Sequence, residues 1–139
     1  MKIFQLNFIP RSADAALLVL RIWVGLSLLM LHGWGKLLKF NSLAGTFSDP
    51  LGVGSTVSLL LALMGEVVCA ALLVMGAFTR FAALGCAITM GVAFWFVHQH
   101  KLSGAGNGEL AFVYLAAFTT LFIAGGGRFA LDAKLGAKG

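Results

Sequence analysis

Five side chains with acid, base or metal-binding chemistry lie within or beside long apolar stretches of this sequence. They are His32, Lys36, Glu66, His98 and Glu109. Carboxylates, imidazoles and amines in apolar surroundings can bind and release protons or hold a polar ligand. These residues are therefore the first candidates for a functional polar cluster.

Glu66 is the most unusual of them because no other charged residue lies in the apolar stretch from Val57 to Phe78. A carboxylate far from both ends of an apolar helix is costly to bury, so it either serves a function or is bonded to a partner. In a functional site it would relay protons or bind a ligand. The alternative is a structural carboxyl group bonded to His32 or to a backbone group.

Arg21, His32 and Lys36 lie on one face of the preceding apolar stretch, together with Gly25 and Leu28. The face follows from the 3.6-residue period of a helix. Ionisable groups at membrane depth need partners, so neighbouring helices must supply them. Arg21 leans the other way, and we expect it to extend toward the headgroups near the start of its helix.

The depths of His32 and Glu66 predict that these two side chains meet. At 1.5 Å per residue, their positions differ by about 7 Å along the membrane normal. Side chains lean toward the N-terminus of their own helix, so on antiparallel helices these two lean toward each other. We therefore expect a His32–Glu66 pair in the outer half of the structure.

Plainer roles are open for the other polar side chains. His98 and His100 form an H-x-H pair, but no second cluster with zinc-site spacing accompanies it, so we predict no metal site. Glu109 can instead stabilise the first turn of its own helix. Cys69 and Cys86 could form a redox pair, although apolar surroundings without a C-x-x-C spacing favour packing.

The composition indicates a membrane protein. Of 139 residues, 60% are hydrophobic and 11% are charged, whereas about 25% are charged in soluble globular domains. The apolar runs are nearly continuous, which argues against a soluble fold. The net charge of +5 comes from cations dispersed over separate loops, so we expect no nucleic-acid partner.

The pattern of apolar runs predicts an all-α integral membrane protein, an antiparallel up-down-up-down four-helix bundle in a single transmembrane domain, residues 1–139. Ser12 or Asp14 should cap the first helix. The first fourteen residues are expected at the membrane interface, and Thr79 and Arg80 in a tight turn. The predicted spans are residues 15–38, 57–78, 81–97 and 109–125.

Lysine and arginine residues in the loops predict the orientation, because cytoplasmic loops carry an excess of them. One side carries Lys2, Arg11, Arg80, Arg128, Lys134 and Lys138, and the other carries Lys36, Lys39 and Lys101. We therefore expect a multi-pass protein of the inner (cytoplasmic) membrane with both termini in the cytoplasm.

Three groups of short motifs follow one another along the chain. They are Arg21, Gly25, His32, Gly33 and Lys36, then Gly65, Glu66, Gly76, Thr79 and Arg80, then Glu109, Tyr114 and the terminal GGGRFALD. Their order and spacing resemble the DoxX family of small four-helix membrane proteins. Members are described as membrane subunits of quinone-linked oxidoreductases, such as thiosulfate:quinone oxidoreductase, or as components of membrane oxidoreductase complexes for thiol and oxidative stress. The resemblance implies the same fold, a redox association and a soluble oxidoreductase partner.

If a quinone binds, its expected position is an aromatic-lined slot between helices that involves His32, Trp34 and Glu66. The sequence supplies no electron carrier of its own, so the chain would be a quinone-binding or non-catalytic subunit. A second hypothesis is a scaffold or assembly factor, in which the same polar residues only hold helices together. A third is a small-solute carrier, against which the sequence lacks a clear inverted repeat.

Overall fold

The computed structural model describes residues 10–136 of the chain. Helices account for 71% of them, and no strand occurs in this range, which confirms the all-α prediction. The expected interfacial position of the first fourteen residues falls largely on residues 1–9, which lie outside the described range. We number the helices α1 (Ala13–Leu38), α2 (Phe40–Leu43), α3 (Ser55–Met75), α4 (Thr79–Val97), α5 (Glu109–Ala124) and α6 (Leu131–Lys134).

Three helices are long and apolar enough to cross a membrane. Helices α1, α3 and α4 contain 26, 21 and 19 residues, and a span needs roughly 20 residues to cross a hydrocarbon core of about 30 Å. Helix α5 is also apolar but contains 16 residues, which at 1.5 Å per residue gives about 24 Å. Three of the predicted spans therefore have the required length, and the fourth is shorter.

The helix ends lie close to the predicted ones, and local chemistry accounts for two of them. Ser12 caps α1, since its Oγ accepts a hydrogen bond from the backbone N–H of Ala15 at 3.1 Å. Gly76 ends α3 with a φ of +73°, the left-handed conformation that glycine adopts most readily. The tight turn therefore begins at Gly76, and Thr79 and Arg80, which were expected to form it, are instead the first residues of α4.

Each of the three long helices contains a π-helical segment. These segments are Leu29–Gly33 in α1, Met64–Cys69 in α3 and Ala93–Val97 in α4. Short π segments inside α-helices occur frequently at functional sites. Here the first contains His32, the second contains Glu66 and the third ends directly before His98.

Helix α4 packs against α3 and α5, while α1 packs against α3 and also contacts α5. Four small residues of α4 are buried in these contacts, namely Ala82, Ala83, Cys86 and Ala87. Gly91 on the same helix would meet no atom of the described structure within 4 Å if it carried a Cβ. The small-residue contact therefore ends before Gly91.

Large apolar side chains cover the outer surface of these helices. Trp23 is 74% exposed and Leu31 is 75% exposed. Extensive apolar exposure is unusual in a soluble monomer and is what a lipid-facing surface requires. The exposed surface thus agrees with the apolar character of the spans.

Candidate functional site

Lys36 on α1 and Glu66 on α3 form an ion pair between the two helices. The Nζ atom of Lys36 lies 2.6 Å from Oε1 and 2.5 Å from Oε2 of Glu66. The side chain of Glu66 is 8% exposed and that of Lys36 is 26% exposed. Because salt screens partly buried pairs weakly, the attraction between the two charges stays strong. The structure thus brings together two of the predicted site residues.

A close approach of two helices at Gly33 allows this pair to form. A Cβ atom on Gly33 would lie 2.6 Å from the carbonyl oxygen of Glu66 and 2.8 Å from Cγ2 of Val67. Gly25 on the same helix faces Val74 in a similar way, at 2.8 Å. Small residues at such contacts let helix backbones approach in lipid. The predicted polar face of α1 is therefore the face that packs against α3.

Helix α4 supports the π segment of α3 that carries Glu66. The Sγ of Cys86 donates a hydrogen bond to the carbonyl oxygen of Gly65 at 3.4 Å. A Cβ atom on Gly65 would overlap the side chain of Thr89, so the two helices are in close contact here. Glu66 is thus presented to α1 by a segment that α4 holds from the other side.

His32 is half-buried in the π segment of α1, and its ring contacts Tyr114 of α5. The ring centroids are 5.9 Å apart and the rings are nearly perpendicular, at 88°. Within residues 10–136 no hydrogen bond joins His32 to Glu66, so the expected direct pair is replaced by the Lys36–Glu66 pair. The lysine side chain is long enough to reach Glu66 although Lys36 lies one turn beyond His32.

Trp34 directly follows Gly33 and is 49% exposed. Its indole therefore lies on the outer surface of α1 and is open to the surroundings. In the sequence, Trp34 stands two positions before Lys36. This position suits either an interfacial tryptophan or one wall of a site that opens toward lipid.

His98 and Glu109 have their described contacts in the loop between α4 and α5. The Nδ1 atom of His98 donates a hydrogen bond to the carbonyl oxygen of Gly106 at 2.9 Å. The backbone N–H of Glu109 donates to the side chain of Asn107 at 3.1 Å. The Glu109 carboxylate is exposed and has no hydrogen bond or ion pair with the part of the chain that the structure describes. Within residues 10–136, no hydrogen bond or ion pair therefore joins His98 or Glu109 to the Lys36–Glu66 pair.

The two cysteines are buried free thiols on neighbouring helices. Cys69 packs against Gly85, where an added Cβ would lie 2.5 Å from its Sγ. Both thiols are thus buried, and the one at Cys69 fills the space against Gly85, which favours the packing role. Among residues 10–136, no three His, Cys, Asp or Glu side chains converge as ligands for a metal ion.

Ser27 and Tyr114 were not among the predicted site residues, yet they join α1 to α5 beside His32. Their hydroxyl groups share a short hydrogen bond, and Tyr114 is 6% exposed. A tyrosine within an apolar helix is a usable signal, because a buried phenol needs a hydrogen-bond partner. The sequence alone does not name that partner.

Arg21 is buried near the other end of the structure, so the expectation that it extends to the headgroups is wrong. It is 2% exposed, and its guanidinium donates to the carbonyl oxygens of Leu73 at 3.3 Å, Val74 at 2.5 Å and Phe129 at 2.9 Å. The carbonyl groups in the last turn of a helix lack intrahelical donors, and a cation there is favourable. Arg21 therefore joins α1, the end of α3 and the segment after α5.

Asp132 in the terminal segment caps the start of α4. Its carboxylate accepts hydrogen bonds from the backbone N–H groups of Phe78 at 2.7 Å and Thr79 at 2.8 Å. Burial raises the pKa of this carboxyl, but the hydrogen bonds from Thr79 and Phe78 and the charge of Arg21 outweigh that effect and hold the pKa below its usual value. The terminal GGGRFALD motif therefore closes one end of the helix assembly.

Comparisons with known proteins agree with this arrangement. A family model described as DoxX matches residues 16–99, a stretch that contains most of α1 and all of α3 and α4. A protein of Haemophilus influenzae, described as an uncharacterized protein, is 35% identical over 141 residues, which cover 93% of this chain and 97% of that protein. No solved structure matches the chain significantly. The family match over more than half of the sequence and this relative show that the chain belongs to the DoxX family.

Proposed function

We propose that this protein is a membrane subunit of a quinone- or thiol-linked oxidoreductase complex, with its polar site in the outer half of a four-helix bundle. The observation that carries the proposal is the Lys36–Glu66 pair beside His32, inside apolar helices of a DoxX-family chain. An ammonium, a carboxylate and an imidazole at one place can donate and accept protons, as quinone chemistry requires.

The proposal includes a single domain with four antiparallel spans. The contacts of α3 with α4, of α4 with α5 and of α5 with α1 support this arrangement. Helix α5 would cross as the shortest span, which a bilayer accommodates by local thinning at a modest free-energy cost. The loop cations favour cytoplasmic termini in the inner membrane.

Quinone binding is supported by the groups that the polar cluster offers to a headgroup. Neither ring nitrogen of His32 has a hydrogen-bond partner within residues 10–136, so the imidazole is available to a ligand. Trp34 is exposed on the same helix and offers an aromatic wall. A quinone carbonyl needs a hydrogen-bond donor, which His32 or Lys36 can supply.

A bound quinone would supply the redox chemistry by accepting or releasing electrons together with protons. His32 would donate a hydrogen bond to a carbonyl oxygen, and Glu66 would accept or return a proton. Lys36 would hold the Glu66 carboxylate in position, and the apolar helices would exclude water from the pair. Electrons would pass to or from a soluble oxidoreductase partner.

His98 and Glu109 remain in the proposed polar cluster as its outermost members. They lie at the end of α4 and the start of α5, which an up-down topology places on the same side as Lys36. There they would meet protons or a partner protein before the buried pair does.

Purification in mild detergent, followed by a quinone assay of the lipid extract, tests this function. We expect quinone and a soluble oxidoreductase to copurify with the wild-type protein, and Lys36→Met to reduce the quinone content several-fold. Lys39→Met is the matched control, because Lys39 is an exposed cation at the end of the same helix. Equal quinone contents in the wild type and Lys36→Met would contradict the proposal.

A scaffold or assembly factor is the second candidate function. The observation that favours it is that Lys36 already bonds both oxygens of Glu66. Holding α1 against α3 is therefore a sufficient role for the pair. In that case no quinone copurifies, and Lys36→Met lowers the recovery of a partner protein together with the stability of this chain.

A further inference from the structure

Tyr114 is the single tyrosine of the chain, and it lies inside the helix assembly on α5. It is 6% exposed, and its hydroxyl group is a polar group in a helix that is almost entirely apolar. The family model ends at residue 99, before α5 begins, so Tyr114 lies outside the matched stretch. Nothing in the proposed chemistry of Lys36 and Glu66 uses its hydroxyl group.

Three contacts fix the ring of Tyr114. Its hydroxyl group shares a short hydrogen bond with Ser27 of α1. Its face stacks on Phe118, with centroids 5.7 Å apart and an interplanar angle of 7°. The third contact is the perpendicular arrangement with the ring of His32. Because the hydroxyl group and one face are held, the ring has little freedom to turn.

The contact with Tyr114 is the restraint on the His32 ring among the hydrogen bonds, ion pairs and ring contacts of residues 10–136. The imidazole has no hydrogen bond within residues 10–136 that would fix its rotation. Edge-to-face ring pairs have a preferred geometry, and each contributes about 0.5–1.5 kcal/mol beyond the burial of its area. A contact of this kind restrains the ring, so that a ring nitrogen points consistently toward a ligand.

We propose that Tyr114 is a positioning residue of the polar site, which sets the orientation of His32 and is itself held by Ser27. Helix α5 thereby completes a site that α1 and α3 begin. The inference rests on the proposed function for the identity of the ligand, a quinone headgroup, but the effect on His32 is measurable without any ligand.

The first experiment observes His32 directly in the full chain, reconstituted in lipid nanodiscs with ¹⁵N-labelled histidine. The signal of His32 is the one that His32→Gln removes. We expect Tyr114→Leu to change the tautomer balance or broaden this signal. Tyr114→Phe and Ser27→Ala should each cause a smaller change of the same kind, and combining them should add nothing, because both remove one hydrogen bond.

Phe94→Leu is the matched control for lost aromatic packing. Phe94 is 5% exposed and contacts Phe112 of α5, with ring centroids 5.2 Å apart. We expect this variant to lower Tm as Tyr114→Leu does and to leave the His32 signal unchanged. If Tyr114→Leu does not fold, Ser27→Ala alone still tests the proposal, since it leaves the tyrosine ring in place.

A titration with a short-chain quinone then separates this inference from the proposed function. Ser27→Ala should raise the Kd for the quinone by about three- to tenfold, the usual range for one lost hydrogen bond. An unchanged His32 signal in Tyr114→Leu, Tyr114→Phe and Ser27→Ala overturns the positioning role. A changed signal in a protein whose wild type binds no quinone supports the positioning role and overturns the quinone-linked form of the proposed function.

Discussion

Lys36 donates hydrogen bonds to both carboxylate oxygens of Glu66 and thereby joins α1 to α3. Each residue satisfies the charge of the other in apolar surroundings. Removing one partner leaves an uncompensated charge, whereas removing both leaves none. The pair should therefore be coupled in free energy, whatever ligand the site binds.

We predict that Lys36→Met and Glu66→Gln each lower the free energy of unfolding in detergent by about 1–3 kcal/mol. The double variant should cost less than the sum, with a coupling of about 1 kcal/mol, in line with polar pairs inside membranes. Reversible unfolding of the four proteins of this cycle measures the coupling. The coupling between His32→Ala and Glu66→Gln should be smaller, because no hydrogen bond joins these two side chains within residues 10–136. A larger coupling of Glu66 with His32 than with Lys36 would indicate that His32 is the partner of Glu66 and would contradict the Lys36–Glu66 ion pair.

Gly33 should not tolerate a side chain. Its added Cβ would lie 2.6 Å from the Glu66 carbonyl oxygen, so Gly33→Ala must push α1 away from α3 at a cost of about 1–3 kcal/mol. Gly35→Ala is the matched control on the same helix, because a Cβ there meets no described atom within 4 Å. Alanine favours a helix over glycine by about 1 kcal/mol, so that control should be neutral or stabilising. Thermal unfolding of both variants in the same detergent checks the prediction.

Arg21 should be sensitive even to lysine. The guanidinium donates to carbonyl oxygens of α3 and of the segment after α5, a spread that a single ammonium group cannot match. We expect Arg21→Lys to lower the free energy of unfolding by about 1.5–3 kcal/mol. Arg80 is exposed and donates from Nε to the carbonyl oxygen of Phe122, so Arg80→Lys should cost less than about 0.5 kcal/mol. Equal losses in both variants would mean that the buried contacts of Arg21 are not the source of its effect.

Asp132 should contribute stability at neutral pH and lose that contribution in acid. Its pKa in the folded protein lies below its usual value, so the contribution is complete above the unfolded pKa of about 3.9 and disappears as the pH falls through the folded pKa. At pH 7, Asp132→Ala should cost about 1–2 kcal/mol, the usual loss for a helix cap. The difference between wild type and variant should shrink below about pH 4. A difference that grows on acidification would contradict the capping role.

The proposed topology predicts opposite locations for the C-terminus and the loop between α4 and α5. Reporter fusions at Gly139 and near Gly104 should therefore report the cytoplasm and the periplasm, respectively. Arg80→Glu should disturb this orientation far more than Lys39→Glu, because cytoplasmic cations set it. A periplasmic C-terminus, or equal effects of the two substitutions, would refute the orientation.

The helices and most of their ends could be predicted from the sequence, because apolar length, caps and glycine stops act over only a few residues. Ser12 and Gly76 act locally in this way. The face of α1 that packs inward could also be predicted from the sequence, since Arg21, Gly25 and Leu28 follow the period of a helix. The π segments could not be predicted in this way, because they depart from that period within α1, α3 and α4.

The partners of the polar side chains were decided by the tertiary structure. Lys36, and not His32, reaches Glu66, because the approach at Gly33 and the length of the lysine side chain matter more than the depth of the Cα atoms. Arg21 is buried because the segment around Phe129, 108 residues later, returns to cover it. A sequence specifies which groups need partners, but which group meets which depends on how helices distant in sequence cross and on how far each side chain extends.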